Sequence, residues 1–148
     1  MPISCESISH DDAQKMLSAA EAKTLEVGIP YCIAVVDAAG ELMAFTRQDG
    51  ARRACIELSI GKAVTARLFN ASTADLNAMA APGAPLFGIA QINEGKVVLL
   101  GGGLPITHNG SVVGAIGASA GTAEQDIAVA QAGIASLDWL KQQTAAAT

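Results

Sequence analysis

The sequence predicts an α+β fold in which helices pack on an antiparallel sheet of five strands. Three observations carry that reading. Residues 31–36 form a short apolar run rich in β-branched side chains, and Asp37-Ala38-Ala39-Gly40 turns it back into residues 41–47. Asn109-Gly110, a strong hairpin signal, lies between the strand-like runs 104–107 and 111–119. Elsewhere apolar residues recur at helical spacing in stretches that open or close on capping residues. Hairpin-linked strands run antiparallel, and helices with one apolar face must cover such a sheet.

Each element has its own signal. Ser9 caps a first helix, Asp11 and Asp12 follow in its first turn, and Ala13, Met16, Leu17, Ala20 and Thr24 share one face. Gly28 ends it and Pro30 prevents its resuming. After the first hairpin, the polar loop 47–51 feeds a long helix over roughly 52–70. Its inner stripe is expected at Ile56, Ile60, Ala63 or Val64, and Arg67 or Leu68. A short helix starts near Thr73, and Pro82-Gly83-Ala84-Pro85 breaks all regular structure. Residues 97–100 read as the third strand, 104–107 and 111–119 as the fourth and fifth. Gly114 and Gly117 interrupt the last strand, which implies close approach by a backbone or a ligand. Thr122-Ala123-Glu124-Gln125 is a capping box opening a final helix from 123 to about 142, with Ile127, Ala130, Ile134 and Leu137 inward. No linker divides the chain, so residues 1–148 read as one domain.

Composition narrows the function. Hydrophobic residues make up 51% and charged residues 16%, so part of the surface must be apolar, and self-association into a homo-oligomer is expected. The segment before Ser9 (Pro2, Ile3, Cys5, Ile8) is expected to pack on a neighbouring subunit. A net charge of −5 argues against nucleic acid or an anionic membrane as partner. No apolar run approaches the roughly 20 residues of a membrane span, and no signal peptide is evident. Three cysteines without a CxxC pair fit a reducing cytoplasm.

Four segments carry a resemblance: AVVDAAGELMAFTRQDGA (34–51), KAVTARLF (62–69), GGGLPI (101–106) and NGSVVGAIGASAGTAEQDIAVAQAG (109–133). In this order they resemble the GlcG/HbpS-like haem-binding-domain family. That family includes glycolate-operon proteins, a secreted haem-binding protein and the C-terminal domain of a corrinoid adenosyltransferase. Gln48 stands where Met is usual in the family's R-M-D-G run, and Ala118 and Ala120 replace Val and Gly of an I-G-V-S-G run. The resemblance implies a profilin-like α+β fold, homo-oligomers, and haem or corrinoid-linked roles in some members.

Three constellations could carry chemistry. Gly101, Gly102 and Gly103 expose backbone amides beside the helix start at Thr122, a pattern suited to an anionic ligand. Glu124 and Asp126 act against it by occupying the positive end of the helix dipole. Arg47 and Asp49 on the loop, with Lys62 on the next helix, form a second set: an anion clamp, a proton acceptor and a cation or amine. His10, His108 and Cys5 are the candidate axial ligands for a haem iron; without partners at i+3 or i+4, the histidines make a poor metal site otherwise. Arg47 and Lys62 are the expected propionate anchors. No Ser-His-Asp or Cys-His pattern, nucleotide fingerprint or zinc spacing is present. The expectation is a cytoplasmic, oligomeric small-ligand binding protein with haem as candidate cofactor. The alternatives are an enzyme of proton-transfer or lyase type on a small carboxylated or oxidised metabolite, with Lys62, Arg47, Asp49 and either Glu124 (also a candidate ligand-binding residue) or Asp126 as its acid–base and anion-clamping groups, and a non-catalytic accessory protein.

Overall fold

A computed structural model describes residues 1–146 of the chain. Its elements run α1 (His10–Val27), β1 (Cys32–Asp37), β2 (Leu42–Arg47), α2 (Ala54–Phe69), α3 (Thr73–Met79), β3 (Gly103–His108), β4 (Ser111–Ser119), α4 (Ala123–Ala135) and α5 (Asp138–Ala146). The strands form one antiparallel sheet in the order β2-β1-β4-β3. Ile33, Val35, Ile116 and Ala118 pack with Met16, Leu17, Ala20, Val129 and Ala130 of α1 and α4. Ala34, Val36 and Ala115 pack on Ala63 and Ala66 of α2. The sheet is thus the middle of three layers, and residues 32–36 of β1 are apolar without a break because helices cover both faces there.

The first helix follows its sequence signals. Ser9 accepts from the Asp12 amide, Gly28 closes the helix in the left-handed region at φ 81°, and the five expected residues are buried. Gln48 also finds its reason here. Its carbonyl accepts from the Tyr31 amide at 2.8 Å and its amide donates to Thr24 Oγ1 at 2.9 Å, pinning the end of α1 to the start of β1. Ile8 is buried within its own subunit, and its amide donates to the Val113 carbonyl. The expectation that this residue packs on a neighbour is therefore corrected, while Pro2, Ile3 and Cys5 are exposed.

The sheet has four strands among the described residues, not five. Residues 97–100 pair with no strand because side chains satisfy their backbone instead: the Val98 amide donates to Thr65 Oγ1 at 3.0 Å, and the Leu99 carbonyl accepts from Asn77 Nδ2. The inner face of α2 is also rotated from the expected stripe. Cys55, Ser59, Lys62, Ala63, Thr65 and Ala66 face inward, while Leu68 is half exposed. A Cβ at Gly117 of β4 would collide with the Ser59 carbonyl and the Ala63 amide, so helix and strand approach at backbone distance and only small residues fit between them. The final helix ends early. Ser136 Oγ donates to the Gly133 carbonyl at 2.7 Å, Leu137 is fully buried, and the chain restarts as α5. In α4 the inward set is Asp126, Val129, Ala130 and Gly133, with Ile127 and Ile134 on its flanks.

Candidate functional site

Two depressions concentrate the polar chemistry. The first is a cleft of about 220 Å³ between α2, the loop before β3 and the start of α4. Its floor is the Lys62–Asp126 pair, and Arg52, Leu100, Gly101 and Gly121 form walls and rim. Lys62 reaches it because the surrounding backbone lacks side chains. A Cβ at Gly102 would lie 3.1 Å from Lys62 Nζ, one at Gly117 would lie 3.1 Å from Lys62 Cβ, and one at Gly103 would strike the Lys62 carbonyl. Lys62 Nζ donates to Asp126 Oδ2 at 2.7 Å and to the Ala118 carbonyl at 2.9 Å. Asp126 Oδ1 accepts from the Ala120 and Gly121 amides at 3.2 and 2.9 Å. Both side chains are almost wholly buried, in the range where breaking a pair is costly.

Tyr31 lies beneath this floor. It is fully buried; its hydroxyl lies close to the Asp126 carboxylate and the Gly121 backbone but meets neither in full hydrogen-bond geometry, and a Cβ at Gly121 would come within 2.8 Å of it. Burial pushes its phenol well above the usual range, and the nearby Asp126 charge adds to the effect. Burial likewise raises the Cys32 thiol, with Cys55 as a second cause.

The expected cation–loop set does not assemble. Arg47 and Asp49 are exposed and line neither depression; Lys62 faces Asp126 instead. The expected anion site is altered as well. Thr122 closes a capping box with Gln125 and is exposed, as is Glu124, while Asp126 turns inward and places its own carboxylate on the loop amides. Of the glycines, Gly101 lines the cleft, the Gly102 carbonyl accepts from Ala118, and the Gly103 amide donates to Thr73 Oγ1. Tyr31 and Arg52 escaped sequence reasoning. Neither belongs to a motif, and only the folded chain sets them beside Lys62.

The second depression, about 310 Å³, lies on the side of α1 and α5. Glu6, Ile8, Asp12, His108, Val113 and Trp139 line it. His108 closes β3 and is half-buried. Its Nδ1 lies 2.7 Å from Glu6 Oε2, and its ring meets Trp139 edge to face with centroids 5.0 Å apart. Trp139 Nε1 donates to Asp12 at 3.0 Å, fixing the indole as a wall. His10 and Cys5 are exposed and line neither depression. Among the described residues no group of three or more His, Cys, Asp or Glu could hold a metal ion, and no helix is long and apolar enough to cross a membrane.

This fold, with its glycine bed under α2, is that of a known class. The model of the haem degrading protein HbpS-like family matches residues 8–135, and the chain belongs to that family. It is 40% identical over 119 residues to a 15.0 kDa protein from the dhaT-dhaS intergenic region of Citrobacter freundii, covering 80% of this chain and 84% of that one. It is 33% identical over 131 residues to the corrinoid adenosyltransferase PduO of Salmonella typhimurium, covering 88% of this chain but 39% of the enzyme's length. Among solved structures it superposes on a PduOC:heme complex with TM-score 0.86 and 32% identity, covering 89% and 96% of the two chains. HbpS superposes with TM-score 0.83 at 30% identity, covering 92% and 94%.

Proposed function

We propose that this protein binds haem in the groove beside His108, as a homo-oligomer in a reducing cytoplasm. One observation carries the reading: the His108 imidazole is held by Glu6 in a groove with apolar walls. A metal-ligating histidine ordinarily donates its second ring N–H to a carboxylate or carbonyl, which sets the tautomer and the ring orientation. With Nδ1–H donated to Glu6, the Nε2 lone pair is available to iron; the Asn109 amide lies 3.5 Å from either ring nitrogen. Ile8, Val113 and Trp139 offer a face for a flat apolar ligand. At 310 Å³ the groove is at the small end of ligand sites, so it seats part of a porphyrin and leaves the propionates to solvent or a second subunit. Lys62 is a poor propionate anchor because Asp126 already neutralises it.

Bound haem would supply an iron centre whose redox and ligand chemistry is tuned by its axial side chain. The protein's part is to orient His108, shield one porphyrin face and exclude water from it. The solved PduOC:heme complex supports the reading at the level of the family. Exposed Phe87, Ile92 and Leu100 support self-association, and the three free cysteines support a reducing compartment. Haemin titration followed in the visible region tests the reading. A saturable Soret shift with one haem per subunit is expected, and an unshifted spectrum at saturating protein overturns it.

A further inference from the structure

The Lys62 cleft is separate from the His108 groove, and haem binding there leaves it unused. Three observations mark it. Gly102, Gly103 and Gly117 all lack the Cβ that would crowd Lys62, so three positions forgo side chains around one amine. The ion pair is buried, and apolar residues of similar volume often replace such pairs without loss of stability, so stability alone does not account for it. Beside it the Tyr31 hydroxyl is fully buried next to Asp126, with no partner in full hydrogen-bond geometry. The cleft is small, and Gly101, Gly121, Ala120 and Ala123 line it. Its amide donors already face the Asp126 carboxylate, so a carboxylate ligand would meet like charge. A small uncharged electrophile meets none.

We infer that Lys62 is a carbonyl-reactive amine and that this cleft captures a small neutral aldehyde reversibly as an imine. The Lys62 ammonium passes one proton to Asp126 across their 2.7 Å hydrogen bond. The freed nitrogen lone pair forms a bond to the carbonyl carbon, and the C=O π pair moves onto oxygen. One proton shifts from nitrogen to that oxygen, Asp126 returns its own, and the oxygen leaves as water while C=N forms. The product is a protonated imine paired with the Asp126 carboxylate. Ammonium plus aldehyde yields iminium plus water, and nothing is oxidised or reduced. Tyr31 is a positioning residue here, its O–H placed to bond Asp126 when the Lys62 contact is given up.

The test treats haem-free protein with limiting acetaldehyde and sodium cyanoborohydride, then maps ethyl adducts by peptide mass spectrometry. Acid–base assistance should make Lys62 react at least ~10-fold faster than the exposed Lys15, Lys96 and Lys141. Asp126→Asn should slow Lys62 by about 10-fold while the surface lysines react as before. The wild-type ratio decides even if Asp126→Asn does not fold: Lys62 reacting no faster than the exposed lysines overturns the inference. Haemin is absent throughout, so failure of haem binding leaves this outcome unaffected.

Discussion

Lys62 and Asp126 stand 64 residues apart in the chain and 2.7 Å apart in space, joining α2 to α4 across the end of the sheet. The carboxylate also holds two loop amides, so one pair fixes a helix, a strand end and a helix start.

Removing both partners should therefore cost less than the two single losses added together. Asp126→Ala leaves a buried ammonium and two amides without their acceptor, and about 3–5 kcal/mol of stability should be lost. Lys62→Met leaves a carboxylate that keeps its two amide bonds, so its loss should be smaller. The double variant should be more stable than the sum of the single losses predicts, as a cycle by urea denaturation would show. Strict additivity would mean that the pair does not couple.

Tyr31→Phe should raise stability at neutral pH by about 1 kcal/mol, because it removes a buried hydroxyl that meets no partner in full hydrogen-bond geometry. The same substitution should flatten the alkaline limb. The unfolded chain loses the phenol proton near pH 10, while the native state holds it to higher pH. Above that point the native state binds more protons than the unfolded one, so wild-type stability falls by up to about 1.4 kcal/mol per pH unit from this group. Denaturation at pH 7 and pH 11 checks both halves, and parallel pH curves for the two proteins would contradict the second.

Multi-angle light scattering should return an even multiple of the 14.9 kDa chain mass. Phe87, Ile92, Leu100 and Met79 are large apolar side chains left exposed on one subunit. A mass near that of a single chain would mean they serve something other than self-association.

The sequence was most legible where local chemistry decides the structure. Ser9, Gly28, Asn109-Gly110 and Thr122 act through their own backbone neighbourhoods, and their elements fall where those residues place them. It was least legible where distant groups decide. Residues 97–100 have strand-like composition, yet Thr65 and Asn77, from elsewhere in the chain, take their backbone bonds. The buried stripe of α2 departs from the apolar one because Gly117 lets the helix approach at backbone distance at Ser59 and Ala63, which turns the helix so that Lys62 points along the glycine bed. At the site, Lys62 and the glycines stood out in the sequence, but their partners did not. Asp126 reads as a helix-start acid until the fold turns it inward, and nothing near His108 in the chain announces Glu6 and Trp139 as its neighbours.

Haem affinity across four proteins tests the central claim most directly: wild type, His108→Ala, Glu6→Gln and His10→Ala, compared by Soret titration. Loss of the axial ligand should weaken binding by at least about 10-fold in His108→Ala, and Glu6→Gln should weaken it by about 10-fold through the lost orientation of the ring. His10→Ala should bind as wild type does. Wild-type affinity in His108→Ala, or a loss confined to His10→Ala, would contradict a haem site in the His108 groove.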